Sequence, residues 1–148
     1  MNTISIQNIT EIDIDEIIAI GMATPELHIE NEHADYYSFD MLKSFITSPH
    51  DIHLTAKIDG VLAGYFFASV NTYLKEAYLI DMVIKPEFRK QGIATLLFEK
   101  AFDILKEHDT EWAWCLVDPK NETMMQVLDK KGFKRGKQFQ FFYRERPF

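Results

Sequence analysis

The sequence predicts an α/β (α+β in some schemes) fold: one mixed, mostly antiparallel twisted sheet with helices on both faces. Three observations carry this. Alternating apolar runs flank Asp59-Gly60, a dipeptide that supplies the positive φ angles a tight hairpin turn needs. A strand-like run at 76–85, a helical stretch from Gly92 to about Lys106 and a second strand-like run at 111–117 form a crossover unit, which pairs its two strands in parallel. The chain has 148 residues without repeat, low-complexity tract or Pro/Gly/Ser-rich linker, so residues 1–148 are expected to form a single domain.

The elements follow in order. "TISIQNI" (3–9) alternates and reads as a strand. Thr10 with Asp13 can cap a helix through "EIDIDEIIAIGM", in which Ile14, Ile17 and Ile18 share a face. Residues 23–37 are polar and irregular. Ser38 starts a second helix, which groups Phe39, Leu42, Phe45 and Ile46 and stops before Pro49. The hairpin around Asp59-Gly60 comes next, then the strand that Pro86 ends, the long helix, and the strand at 111–117. Asn121 to Lys131 reads as a helix halted by Gly132, and "KQFQFFYRE" alternates strongly enough to be a last strand.

Composition narrows the function. Hydrophobic residues make up 47% and charged residues 26%, as in a globular chain. The formal net charge of −7 repels phosphate backbones, which argues against nucleic acid and favours amine partners. Solubility alone would also account for it. No apolar run approaches the roughly 18 residues of a membrane span, and the N-terminal stretch lacks the form of a secretory signal. The single cysteine, Cys115, forms no intramolecular disulfide, and a cytoplasmic location is expected. His28 and His33 lie in a polar loop and do not read as a metal site. Trp112, Trp114 and Cys115 read as core.

The stretch "VIKPEFRKQGIATLLFEKAF" (83–102) holds the strongest functional signal. A helix beginning near Gly92 offers free N–H groups and the positive end of its dipole. Gly92 lets an anion approach the main chain, Arg89 and Lys90 add positive charge, and Thr95 adds a hydroxyl. Such a turn suits a diphosphate. The same residues also make an ordinary exposed strand-to-helix turn. The single glycine matches neither the P-loop nor the dinucleotide fingerprint.

This segment resembles the coenzyme-binding motif of the GNAT N-acetyltransferase superfamily, Arg/Gln-x-x-Gly-x-Gly/Ala between a strand and a helix. Arg89, Gly92 and Ala94 match it, and Val83 and Pro86 match its lead-in. "NETMMQVLDKKGF" (121–133) resembles the superfamily's next segment. The resemblance implies acetyl-CoA as co-substrate. Backbone amides of Gln91, Gly92, Ile93, Ala94 and Thr95 would hold the pyrophosphate, Arg89 and Lys90 would flank it, and Met82, Val83 and Ile84 would pair with the pantetheine arm as an added strand. Asn121 would contact that arm, or simply cap its helix.

The acceptor side departs from the pattern. Aligning Asn121 and Gly132-Phe133 puts Leu128 where many members carry a tyrosine as leaving-group acid. Tyr143 is the substitute candidate, with the core as its other reading. Asp81, a carboxylate inside "AYLIDMVI", needs a reason to be there: it is either the base or ammonium anchor of the amine, or the partner of a Lys or Arg on a neighbouring element. Glu30, Asp35 and Tyr36 belong to an acidic, aromatic loop suited to a cation, or simply to solvent. The expected activity is transfer of an acetyl group to a small amine of polyamine, amino acid or amino sugar type, by a protein that could form a homodimer. The competing expectations are a protein N-terminal or lysine acetyltransferase and a non-catalytic acyl-CoA-binding module.

Overall fold

In the computed structural model, residues 2–28, 36–144 and 146–147 are described. Five strands line up in sequence order: β1 (Ile4–Asn8), β2 (Ile52–Ile58), β3 (Val61–Asn71), β4 (Glu76–Ile84) and β5 (Trp112–Trp114). The first four pair antiparallel and β5 joins β4 in parallel. Helices α1 (Ile14–Met22) and α2 (Phe39–Phe45) connect β1 to β2; α3 (Ile93–Glu107) connects β4 to β5, and α4 (Glu122–Lys130) follows.

Local chemistry explains most boundaries. The Thr10 N–H and hydroxyl both donate to Asp13 Oδ2 at 2.9 Å, fixing the entry to α1. Burial pushes the Asp13 carboxyl upward, but hydrogen bonds from Lys57 and Thr10 outweigh it and hold the group below its ordinary range. Ser38 Oγ accepts from the Met41 N–H and starts α2. Asp59 and Gly60 carry φ of 49° and 84° between the paired residues Ile58 and Val61, the two-residue turn expected. Gly132 at φ 84° ends α4: its N–H donates to Asp129 O and the Phe133 N–H to Leu128 O, each at 3.1 Å.

The sheet separates two apolar layers. On one face Ile93, Leu97, Phe98 and Ala101 of α3 and Leu128 of α4 pack against Phe66, Ala77 and Leu79. On the other, Ile14 and Ile17 of α1 and Leu42 of α2 pack against Tyr65, Phe67 and Val83.

Three expectations need correction. The alternating C-terminal segment is not a strand at 137–144, and Phe139 and Phe142 are 83% and 86% exposed. Alternation makes a strand possible, but no described strand pairs with this segment to make it one. β5 likewise shrinks from 111–117 to Trp112–Trp114, because β4 pairs with it only at Glu76, Ala77 and Tyr78. Ala113, Cys115 and Val117 turn toward the α3/α4 layer. Trp112 and Trp114 therefore face the other way and are exposed rather than core, Trp114 stacking on Tyr78 with ring centroids 4.5 Å apart.

Candidate active site

The site is built along β4. Only its first three residues are paired with β5, so from Leu79 to Ile84 the strand has β3 as its sole strand neighbour among the described residues. An extended ligand arm can lie on that open flank and borrow main-chain hydrogen bonds. Met82, Val83 and Ile84 all stand there.

The turn after β4 leads into α3 through a short helical turn at Pro86–Phe88. Gly92, the residue capping α3, is left-handed at φ 80°, and Lys90 before it has φ 62°. A Cβ added at Gly92 would meet nothing within 4 Å, so the main chain is open to an incoming group. The N–H groups of Ile93, Ala94 and Thr95 form the first helical turn, which lacks intrahelical acceptors by geometry. Arg89 Nε donates to Ile84 O at 3.0 Å and ties the turn to the end of β4, while Lys90 and Gln91 are exposed. An open concave turn with free donors and cationic side chains fits a diphosphate. The Asn121 side chain caps α4, Oδ1 accepting from the Met124 N–H at 3.1 Å.

The acceptor side depends on a register slip. Phe67 pairs with Asp81 but Ala68 pairs with Leu79, leaving Ile80 as one extra residue. Ala77 and Leu79 face the α3/α4 layer, and strict alternation would send Asp81 there too. The bulge instead turns Asp81 toward the α1/α2 face. There the Tyr36 hydroxyl donates to Asp81 Oδ2 at 2.8 Å and lies 3.0 Å from the hydroxyl of Tyr65, a fully buried residue of β3. Burial pushes the Asp81 carboxyl above its ordinary value, with the Tyr36 hydrogen bond pulling partly back. Burial, followed by the nearby carboxylate, raises Tyr36 far beyond an ordinary phenol, so it is a fixed donor. No Lys or Arg pairs with Asp81 among the described residues; its hydrogen-bond donor is the Tyr36 hydroxyl.

Tyr36 is thus a hydrogen-bond partner of Asp81. Its seat is Gly21 of α1: a Cβ there would stand 2.5 Å from three atoms of the Tyr36 ring. Beside this cluster, a cavity of about 150 Å³ is lined by Tyr37, Met41, Leu42, Phe45, Phe67 and Ile80. Glu30 and Asp35 lie outside the described residues. Tyr143 is 49% exposed in the C-terminal segment, its ring stacked on Phe141 with centroids 5.9 Å apart. Leu128 is buried in the α3/α4 layer and offers no proton. Among the described residues no His, Cys, Asp and Glu cluster could hold a metal, and no helix is long and apolar enough to cross a membrane.

Sequence reasoning missed Tyr65, Gly21 and the bulge at Ile80. The phenol of Tyr65 inside the apolar run "VLAGYFFASV" was the one available signal, since a buried hydroxyl needs a partner.

This geometry has counterparts. The Acetyltransferase (GNAT) family model matches residues 14–133. An N-alpha-acetyltransferase of Sulfurisphaera tokodaii is 24% identical, the match covering 93% of this chain and 84% of that protein. Among solved structures, the PaiA N-acetyltransferase from Thermoplasma acidophilum in complex with coenzyme A superposes with a TM-score of 0.79 at 21% identity, covering 89% of this chain and 90% of that one. The aminoglycoside N-acetyltransferase AAC(6')-Iy in complex with CoA also reaches 0.79, at 19% identity, with 99% and 97% covered. The strand order, the open flank of β4 and the family match lead to one conclusion: the chain belongs to the GNAT family of acetyltransferases and is an acyltransferase that works on an amine.

Proposed function

We propose that this chain, as a single domain, moves an acetyl group from acetyl-CoA to the nitrogen of a small primary amine, with Asp81 as the amine-side group. Acetyl-CoA is the co-substrate, and when bound it supplies the activated acyl group. The turn from Gln91 to Thr95 would hold its pyrophosphate, with Arg89 and Lys90 alongside, and Met82, Val83 and Ile84 would pair with its pantetheine arm. The single observation that carries the assignment is the bulge at Ile80, which delivers a largely buried carboxylate with a raised pKa to the face opposite α3.

Asp81 does two things in this reading. Its charge draws the ammonium in, and its carboxylate accepts the N–H proton: the N–H bond breaks, an O–H bond forms, and the nitrogen lone pair is freed for attack. Tyr36 donates to Oδ2, and in this reading Oδ1 takes the amine. A main-chain N–H on the open flank of β4 is suited to the developing oxyanion. No residue is assigned as leaving-group acid. A thiol of the cysteine type ionises near pH ~8.5, so a thiolate can leave without a donor.

A second reading, an α-amine at a protein N-terminus, is favoured by one observation: the relative that matches across 93% of this chain is an N-alpha-acetyltransferase. The small volume and apolar lining of the cavity near Asp81 support the small acceptor. The test is release of free thiol from acetyl-CoA with a panel of small amines and short peptides. Release with small amines is expected. Coenzyme binding without release for any acceptor would leave a non-catalytic acyl-CoA-binding module as the answer.

A further inference from the structure

We infer that the cavity between α2 and the bulge of β4 is a subsite for an apolar group on the acceptor, so that the preferred substrate is an amphipathic amine. This deepens the reading of Asp81 as the amine-side group and rests on it. Asp81 does not line the cavity, but three residues bound to it by chain or ladder do. Ile80, the bulged residue, precedes Asp81; Phe67 is its partner across the β3–β4 ladder; Tyr37 follows the Tyr36 that holds it. The remaining walls are Met41, Leu42 and Phe45 of α2. None of the six linings carries a charge, and Tyr37 alone has a polar atom at its tip.

Size and chemistry define the occupant. A volume of about 150 Å³ lined by aliphatic and aromatic carbon is large enough to accept a benzene-sized group. A carboxylate one residue along the strand from a wall of such a cavity is complementary to a cation with a short apolar arm. A linear polyamine fits poorly, because its second ammonium would be carried into a space where no described lining residue bears a charge. A very short amine fits poorly for the opposite reason, since it leaves the cavity unfilled. The acceptor is therefore a primary amine whose carbon skeleton carries four to six apolar carbons, as an alkyl chain or a phenyl ring.

The test compares kcat/KM for ethylamine, butylamine, hexylamine, phenethylamine and spermidine, with glycine- and leucine-initiated dipeptide amides as a peptide arm. The wild-type enzyme should gain about three- to fourfold per added methylene until the cavity is full. Phenethylamine should exceed ethylamine at least tenfold, and spermidine should fall below butylamine. Met41→Trp should shrink the subsite and bring the phenethylamine-to-ethylamine ratio within about threefold of unity. Met41 is 58% exposed, so this replacement leaves the core in place. Turnover of all the amines with equal kcat/KM overturns the subsite while leaving the acetyltransferase reading intact. No turnover with any acceptor, despite coenzyme binding, overturns that reading and this one with it. Turnover of the leucine dipeptide with refusal of every free amine overturns the small-molecule acceptor.

Discussion

The two halves of the proposed site are made differently. The coenzyme half is contiguous: Arg89 to Thr95 are neighbours in sequence, and a glycine with positive φ at the start of a helix does most of the shaping. The acceptor half is assembled from Gly21 on α1, Tyr36 before α2, Tyr65 on β3 and Asp81 on β4. A contiguous site is robust to distant changes and fragile at one residue. An assembled site has many points of failure, each with a smaller and more graded effect. Substitutions can separate the two halves on that basis.

The largest effect should come from Gly92→Glu. It places a carboxylate in the anion cradle and forces a side chain into a left-handed conformation. Calorimetry should show acetyl-CoA affinity reduced at least a hundredfold, with Tm lowered by a few degrees from the strained φ; unchanged affinity would mean the phosphates bind elsewhere.

Gly64→Ala should come next and strike both halves. The new Cβ would stand 2.5 Å from Val83 O, a backbone atom that cannot yield without moving β4. Overpacking of this kind costs about 1–3 kcal/mol, so thermal unfolding should fall by several degrees and turnover should drop with it. A variant as stable and active as wild type would show that β4 adapts freely.

Tyr36→Phe keeps the ring and removes the donor. Burial already raises Asp81, and the Tyr36 hydroxyl opposes that rise, so its loss must raise the carboxyl further. The working form is the carboxylate. The acid limb of kcat/KM should therefore move to higher pH, and activity at neutral pH should fall roughly tenfold. Coenzyme affinity should not change. A limb that moves to lower pH would contradict the hydrogen-bond direction assigned here.

Gly21→Ala acts on the same carboxylate at one remove. The added methyl collides with the Tyr36 ring, and the limb should shift the same way by a smaller amount, while alanine's better helix propensity, worth about 1 kcal/mol, limits any loss of stability. Asn121→Ala should be the mildest. If the side chain is only a cap, stability falls by about 1 kcal/mol and coenzyme affinity holds; a matching loss of affinity would add a contact to the pantetheine arm.

This contrast also explains what the sequence could reveal. The hairpin at Asp59-Gly60, the caps at Thr10, Ser38 and Asn121, the stop at Gly132 and the turn at Gly92 are all set by chemistry within a few residues of chain, and all appear where the sequence puts them. Asp81 was legible as a carboxylate out of place. Its surroundings were not, because the bulge at Ile80 is a property of two strands in register, and the Gly21–Tyr36 contact joins residues that no short-range pattern connects. The C-terminal alternation failed for a related reason: periodicity states which faces a strand would have, and only a neighbouring ladder makes it a strand. The tryptophans of β5 were correctly paired on one face, but which face meets the core depended on how far β4 and β5 stay together.

The central claim is that Asp81 serves the amine and contributes nothing the fold needs. A carboxyl with a raised pKa costs stability as pH rises above its ordinary value, so a neutral replacement should be tolerated at neutral pH. The direct measurement is thiol release and Tm for Asp81→Asn beside wild type at pH 7, with the best amine found. The account predicts kcat/KM down by a hundredfold or more, unchanged acetyl-CoA affinity, and a Tm equal to or above wild type. Full activity in the variant, or loss of activity accompanied by a fallen Tm, would contradict it.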